Sequence, residues 1–311
     1  MFTHVYFSAF RISGTEAAMT VEVHWLGTPQ THRADVVGGK VANLSRLAER
    51  QPVPPGFCVF GHSSEELATE FAADGITSAY RELAARQEQN EPAVAVRSSA
   101  VDEDGEHTSF AGLNETYLNV VGEKAVVDAV RACVASFRSE RALAYRSKWG
   151  LDAPDQFAVL VQQLVTADVA GVAFSVDPVT HSGSTVVVNS SWGLGESIVG
   201  GTVTPDTYRV DRASWDVTER RIADKARMTV PAPAGVRELP VPRQLRSTET
   251  LSDAQVVRTA RLAVQLEEQM GWPADVEFAW SAERLYLLQC RPVTALHTSE
   301  EAGSTAGGRT A

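Results

Sequence analysis

The stretch ADVEFAWSAERLYLLQCRPV, residues 274–293, decides how the rest of the chain is interpreted. It contains two β-type runs separated by a short polar segment around Ser281. Such a pattern predicts two antiparallel strands joined by a tight turn. Such a hairpin would hold several charged and polar side chains at fixed relative positions.

The alternation of side chains along a strand assigns these residues to faces. Residues two apart face the same side, so Asp275 lies beside Glu277, and Gln289 lies beside Arg291. The segment around Ser281 allows a loop of three or five residues. Either odd length places Glu277 and Gln289 on one face, within about one pair of each other, whereas a loop of two or four residues would break this arrangement.

The chemistry of this face suggests a metal and phosphate site. A carboxylate beside a side-chain carbonyl suits Mg²⁺, which typically takes one or two protein ligands together with phosphate oxygens and water. The planar fork of donors on Arg291 suits phosphate oxygens. From spacing alone, a solvated hairpin face with a surface salt bridge explains Glu277, Gln289 and Arg291 equally well.

A second candidate anion site lies near the start of the chain. Gly38-Gly39-Lys40 precedes apolar residues at helical spacing, so Lys40 is predicted at a helix N-terminus, where unpaired N–H groups favour anions. The sequence GGKVANL lacks the leading glycine spacing and the Ser/Thr of a Walker A motif. Alone, this segment indicates a helix-entry turn with a solvated lysine.

The segments VRSS (residues 96–99) and TSFAG (residues 108–112) form a third candidate. Arg97 is predicted at a strand end, where Ser98 and Ser99 offer hydroxyl and N–H groups to an anion. Residues 108–112 could fold over this anion as a loop, in which Gly112 would let the backbone approach a phosphate closely. A strand end followed by a surface turn is the simpler interpretation of the same residues.

The composition is that of an ordinary globular protein, with 44% apolar and 22% charged residues among 311. This length predicts two domains or lobes. The formal net charge of −11 argues against a nucleic-acid partner, and the absence of an apolar run of about 18 residues argues against a membrane span. Three widely spaced cysteines predict free thiols in a reducing compartment, so a cytoplasmic protein is expected.

Strands and helices are mixed without strict alternation, which predicts an α+β (mixed α/β) class. Residues 63–75 are predicted as a helix that ends at Gly75, and residues 122–150 as a long helical stretch broken near Phe137. The proline-rich residues 230–245 are predicted as connecting loop. The end of the chain, TSEEAGSTAGGRTA, is expected to be a flexible tail or linker stub.

Taken together and in order, these motifs resemble the N-terminal ATP-binding domain of the family of pyruvate phosphate dikinase, phosphoenolpyruvate synthase and rifampicin phosphotransferase. The resemblance rests on VGGKVANLSRL, VPPGF, VRSSAVDEDGEHTSFAGLNETYLNV, VLVQQLVTADVAGVAFSVDPVT, NSSWGLGESIVGGTVTPDTY and DVEFAWSAERLYLLQCRPV. It runs from about Val21 to Val293. The joint occurrence of Arg-Ser-Ser, Ser-Phe-Ala-Gly, Gly-Leu-Gly-Glu and Gln-x-Arg-Pro is specific to that family.

The resemblance implies a two-lobed ATP-grasp fold with ATP bound between the lobes. The expected division is a tail at 1–19, an N-terminal lobe at 20–164, a C-terminal lobe with the metal-binding hairpin at 165–296, and a tail at 297–311. The implied site consists of Lys40 and Arg97 on the phosphates, Gly112 and Thr116 in a loop over them, Gln162 or Gln163 at the adenine, Glu277 and Gln289 on Mg²⁺, and Arg291 at the terminal phosphates. Glu196 and Asp206 are expected to be mostly structural.

The resemblance also implies what must complete the reaction. Family members pass a phosphoryl group from ATP to a histidine on a swivelling domain, releasing AMP and phosphate. The last histidine here, His297, is followed by TSEEAG and does not match the family's Thr-Ser-His context. We therefore expect a Mg-ATP phosphotransferase subunit or fragment that needs a histidine-bearing phosphocarrier and an acceptor-substrate subunit. The alternatives are a direct small-molecule kinase giving ADP, a nucleotide sensor, and a scaffold without chemistry.

Overall fold

The computed structural model describes residues 21–61, 66, 69–99, 116–148 and 156–293. The predicted positions Gly112 and His297 and the two predicted tails lie outside the described residues. The described strands are β1 Glu22–Trp25, β2 Gly56–Gly61, β3 Val94–Ser99, β4 Thr116–Val120, β5 Phe157–Gln163, β6 Val169–Phe174, β7 Thr185–Trp192, β8 Asp206–Asp211, β9 Val217–Arg221, β10 Arg227–Pro231, β11 Val236–Pro240, β12 Ala274–Ser281 and β13 Arg284–Pro292.

The described helices connect these strands and cover the sheets. They are α1 Ala34–Leu47, α2 Glu70–Arg86, α3 Glu123–Ser136, α4 Glu140–Lys148, α5 Glu196–Val199, α6 Arg243–Arg246 and α7 Asp253–Met270, with a 3-10 turn at Pro29–His32. The break between α3 and α4 confirms the interruption predicted near Phe137.

Two antiparallel sheets organise the described chain. The first has five strands in the order β1-β2-β5-β3-β4, and the second has six in the order β13-β12-β6-β7-β8-β9. In chain order, the strands of the first sheet end with β5 at Gln163, and those of the second sheet begin with β6 at Val169. The mixed α/β class predicted from the sequence is confirmed.

The apolar core explains where the helices lie. One cluster packs α2 and α3 on the first sheet, with Ile76 and Val130 fully buried against Val159. A second cluster joins α1 to the opposite face of the first sheet and continues into the second sheet, where α7 packs. Because α1 also contacts β13, it sets the position of the hairpin relative to the first sheet.

Helix α2 corrects the prediction that a helix ends at Gly75. The helix runs through Gly75 to Arg86. A glycine inside a helix costs about 1 kcal/mol relative to alanine. Beyond it, Ile76, Tyr80 and Leu83 recur at helical spacing and are buried against the first sheet, so their burial outweighs the glycine penalty.

The proline-rich segment predicted as loop is also different in the structure. Strands β10 and β11 pair antiparallel over residues 227–240 and form a two-stranded ribbon, followed by α6. The prolines stand at the ends of these strands, at Pro231 and Pro240. Both strands of this ribbon are edge strands. An edge strand tolerates proline because only one of its sides needs N–H donors.

Within the described residues, no helix is long and apolar enough to cross a membrane.

Candidate functional site

The turn of the hairpin differs from the sequence prediction. Ser281 pairs with Arg284, so the β12–β13 loop has two residues, Ala282 and Glu283. Both have positive φ angles, 44° and 65°, as the tight turns of two-residue hairpins require. The predicted loop of three or five residues is therefore wrong. Neither residue is a glycine or asparagine, so the sequence carried no standard marker of this turn.

A β-bulge restores the pairing that a two-residue loop would otherwise break. Glu277 pairs with Gln289, whereas the next residue, Phe278, pairs with Leu287. Leu288 is thus an extra residue on β13. It shifts the register by one and returns Gln289 to the row of Glu277. The predicted juxtaposition is present, but the bulge produces it and the loop length does not.

The paired residues suit a hard cation. Glu277 is half-buried and Gln289 is 6% exposed, and both lie on the face opposite the core residues Val276 and Cys290. A carboxylate and an amide carbonyl supply two oxygen ligands for Mg²⁺. The described residues hold no group of three or more His, Cys, Asp or Glu side chains that could bind a metal. The remaining ligands of a metal here would be phosphate oxygens and water.

Arg291 lies on the same face and is oriented by Asp275, for which no role was predicted. Asp275 pairs with Arg291 across the hairpin, and Arg291 Nε donates to Asp275 Oδ2 at 2.9 Å. The Asp275 side chain is 10% exposed and that of Arg291 is 34% exposed. The ion pair fixes the direction in which the guanidinium projects from the strand. The sequence signal that could have indicated this role is the position of Asp275 two residues before Glu277, which places both side chains on one face of the strand.

Arg97 joins the first sheet to this hairpin. It is half-buried on β3, and its Nη1 donates to the backbone oxygen of Leu288 at 3.4 Å. The acceptor belongs to the bulge residue itself. The bulge thus has two consequences, since it restores the Glu277–Gln289 row and provides the acceptor for Arg97.

Lys40 lies where a helix restarts. Inside α1, Gly38 has φ 78° and ψ 157°, which breaks the helix and leaves Lys40 in the first turn of the part that follows. Only glycine adopts this backbone readily. Lys40 Nζ approaches the backbone oxygen of Ser98 at 3.5 Å, so the structure brings Lys40 to the neighbour of Arg97.

Ser99 stabilises the helix break, so its hydroxyl does not fit the predicted role as an anion donor. Its Oγ donates to Val37 O at 2.8 Å and accepts from Val41 N at 3.4 Å. These are the two groups that an unbroken helix would join directly. The hydroxyl therefore replaces the missing helical hydrogen bond and ties α1 to β3. Ser98 is also buried, at 1% exposure.

Thr116 lies beside Arg97 in the first sheet. It is exposed and begins β4, and its Cα partner on β3 is Arg97. Its predicted companion Gly112 lies outside the described residues, so the loop that would join them stays a prediction.

The two glutamines at the end of β5 differ in surroundings. Gln162 is 1% exposed, and its Nε2 donates to the backbone oxygen of Pro54 at 3.0 Å. Gln163 is the last residue of the strand and is half-buried, with its backbone N–H bonded to Pro55 O. The amide of Gln162 therefore ties β5 to the segment before β2.

Asp206 fits the structural role expected for it. Asp206 and Lys225 are both fully buried, and Lys225 Nζ donates to Asp206 Oδ1 at 2.6 Å. Thr250 donates to the other carboxylate oxygen from its backbone nitrogen and its hydroxyl. Glu196 is exposed at the start of α5, in the Gly-Leu-Gly-Glu segment.

Comparison with known proteins identifies related sequences. Residues 62–307 match the family described as pyruvate phosphate dikinase, AMP/ATP-binding domain. The chain is 40% identical over 250 residues to a probable phosphoenolpyruvate synthase of Pyrococcus horikoshii, covering 76% of this chain and 30% of that protein. It is 37% identical over 300 residues to the prodigiosin synthesizing transferase PigC of Serratia marcescens, covering 89% of this chain and 33% of PigC.

The chain therefore spans about a third of the length of these relatives. Among solved structures, D-alanyl-alanine synthetase A from Vibrio cholerae aligns with a TM-score of 0.35 at 15% identity, over 81% of this chain and 54% of that one. That likeness is too low to support an argument. The matched family model and the sequence relatives agree with the resemblance seen in the motifs, and the chain belongs to the pyruvate phosphate dikinase AMP/ATP-binding domain family.

Proposed function

We propose that this chain binds Mg-ATP between its two sheets and activates it for dikinase-type phosphoryl transfer. The observation that carries the proposal is the hairpin row in which Glu277 pairs with Gln289, next to the row that pairs Asp275 with Arg291. Membership of the AMP/ATP-binding domain family supports ATP as the nucleotide. In the ATP-grasp arrangement that the resemblance implies, residues 20–164 and 165–296 are the two lobes.

Three cations would neutralise the phosphates. Lys40 and Arg97 approach from α1 and β3, and Arg291 approaches from β13. Phosphoryl transfer depends mainly on positioning and charge stabilisation, so the chain needs no nucleophile of its own. Mg²⁺ held by Glu277 and Gln289 would supply further charge neutralisation at the phosphate oxygens.

The acceptor would be a histidine on a separate swivelling protein or domain. A ring nitrogen of the histidine would attack the β-phosphorus of ATP, the bond from that phosphorus to the α–β bridging oxygen would break, and AMP would leave. Water would then attack the γ-phosphorus and break its bond to the β–γ bridging oxygen, which releases phosphate and leaves the β-phosphoryl group on the histidine. A further subunit or domain would then take the phosphoryl group from the histidine to the final acceptor.

A direct kinase that releases ADP is the second candidate, and a nucleotide sensor without turnover is the third. The resemblance to dikinases favours AMP formation, and the presence of Glu277, Gln289 and Arg291 argues against a scaffold without chemistry. A chain that had lost its chemistry would be expected to lose this set first.

Product analysis separates the candidates. The chain is incubated with Mg-ATP, alone and with imidazole as a small-molecule substitute for the histidine side chain, and nucleotides are resolved by chromatography. We expect little turnover alone and slow AMP formation with imidazole. Steady ADP release would contradict the dikinase proposal and favour the direct kinase. Binding with no product under either condition would favour the sensor.

A further inference from the structure

Asn119 on β4 has an unusual conformation. Val94 pairs with Val120 and Val96 pairs with Tyr117, so β4 carries one extra residue opposite Ala95. Within this bulge, Asn119 has a φ of 56° and is 7% exposed. Asparagine tolerates the left-handed region better than most residues, and a bulge re-aims a side chain. The bulge and the positive φ therefore turn the Asn119 side chain out of the regular alternation of β4.

The amide of Asn119 holds the tip of the β10–β11 ribbon. Its Nδ2 donates to Ala232 O and to Gly235 O, both at 2.6 Å. Two carbonyl acceptors require the NH₂ end of the amide, which has two protons to donate. Gly235 has a φ of 66°, and Ala232 N closes the tip turn by donating to Gly235 O. These contacts join residues more than 110 positions apart in sequence.

The rest of the ribbon is fixed to the second sheet. Leu194 N, in the Gly-Leu-Gly-Glu segment, donates to Thr229 O at 2.9 Å. A Cβ on Gly193 would lie 2.3 Å from the same oxygen, so only glycine permits this approach. Two residues before β10, Lys225 is fully buried in its ion pair with Asp206. The ribbon therefore extends from a rigid base.

The position of Asn119 links this ribbon to the candidate phosphate site. Asn119 lies three residues after Thr116, which is the Cα partner of Arg97. Arg97 in turn reaches Leu288 on the hairpin. The first sheet is thus connected to the second half of the chain at β3 through Arg97 and at β4 through Asn119.

We infer that Asn119 is a positioning residue for the triphosphate, and that the ribbon holds β4 so that Thr116 and Arg97 keep their places opposite the hairpin. This inference rests on the proposed binding of ATP. The β- and γ-phosphates would meet these residues, whereas AMP lacks both groups. Loss of the Asn119 contacts should therefore weaken ATP binding more than AMP binding.

The test uses Asn119→Gly, which keeps the freedom to adopt positive φ and removes the amide. Calorimetric titrations of Mg-ATP and AMP are compared with the wild-type protein, together with hydrogen exchange of the β4 amides. We expect ATP affinity to fall about fivefold to tenfold, with AMP affinity little changed. Exchange in β4 should become faster.

The matched control is Tyr80→Phe, which removes a buried hydroxyl that donates to Pro92 O at 2.8 Å and accepts from Gly122 N. It should lower stability and leave the ratio of ATP to AMP affinity unchanged. If Asn119→Gly behaves in the same way, the residue is merely structural and the inference is overturned. If the wild-type chain binds no ATP at all, the proposed function and the inference both fall, which is a distinct result.

Discussion

Arg97 on β3 donates a hydrogen bond from Nη1 to the backbone oxygen of Leu288 on β13, at 3.4 Å. The two residues belong to different sheets and are 191 positions apart. Leu288 is the bulge residue that returns Gln289 to the row of Glu277. One irregularity in the hairpin therefore sets both the predicted metal pair and the position of a predicted phosphate ligand.

Replacing Arg97 should weaken nucleotide binding. For Arg97→Leu we expect Mg-ATP affinity to fall about tenfold or more, because a charge-assisted contact to phosphate is lost. Arg97→Lys should recover part of the loss, since it restores the charge but lacks the planar fork. Calorimetric titration measures both. Arg81→Ala, which removes an exposed ion pair with Glu123, is the control. Equal affinities for the Arg97 and Arg81 variants would contradict the assignment.

The two-residue hairpin turn predicts a stabilising substitution. Asn-Gly in place of Ala282-Glu283 should raise the free energy of unfolding by about 0.5–1 kcal/mol, because both positions have positive φ. Urea denaturation measures this difference. The same pair placed in the longer loop predicted from the sequence would have no such effect. Unchanged or lower stability would therefore contradict the two-residue turn.

Substituting the two glutamines of β5 should distinguish a residue that stabilises the fold from one that contacts the nucleotide. Gln162→Ala should lower the free energy of unfolding by about 1–3 kcal/mol, because Pro54 O loses a buried donor. Gln163→Ala should leave stability almost unchanged and weaken ATP, ADP and AMP alike, as expected for an adenine contact. Thermal unfolding and titration of the three nucleotides check both statements. If Gln163→Ala binds every nucleotide normally, Gln163 is not the adenine contact.

The buried ion pair at the base of the ribbon should matter for stability. Lys225→Met leaves the Asp206 carboxylate buried without its cation, which should cost about 3–5 kcal/mol of unfolding free energy. Adding Asp206→Asn should recover part of that loss, because the charge is removed. Lys124→Met is the control, since Lys124 pairs with Asp128 at the surface and should change stability by less than about 1 kcal/mol. A similar effect at both lysines would argue against a special role for the buried pair.

Much of the fold could be predicted from the sequence where the pattern was local. The hairpin, the interruption near Phe137 and the mixed class followed from alternation, helical spacing and turn residues. The ribbon over residues 227–240 did not, because its prolines resemble a loop and its anchors, Asn119 and Leu194, are distant in sequence. The helix through Gly75 was missed because burial of the following turn outweighs a local signal.

The candidate site shows the same division between local patterns, which could be predicted, and contacts between distant residues, which could not. The row of Glu277 and Gln289 was predicted from period-2 alternation, although the assumed loop length was wrong, because a bulge leaves no clear mark in one sequence. The role of Ser99 was missed for another reason. Its hydroxyl bridges Val37 and Val41 across the Gly38 break, and that contact depends on how α1 packs on β3.

The most direct measurement is calorimetric titration of Mg-ATP into the wild-type chain and Glu277→Gln, with and without a metal chelator. Glu283→Gln, an exposed glutamate in the turn of the same hairpin, is the matched control. We expect metal-dependent binding to the wild type and the control. In Glu277→Gln we expect the metal dependence to be lost and the affinity to be at least about tenfold weaker. Equal, metal-dependent binding by Glu277→Gln would contradict the assignment of the hairpin as the Mg-ATP site.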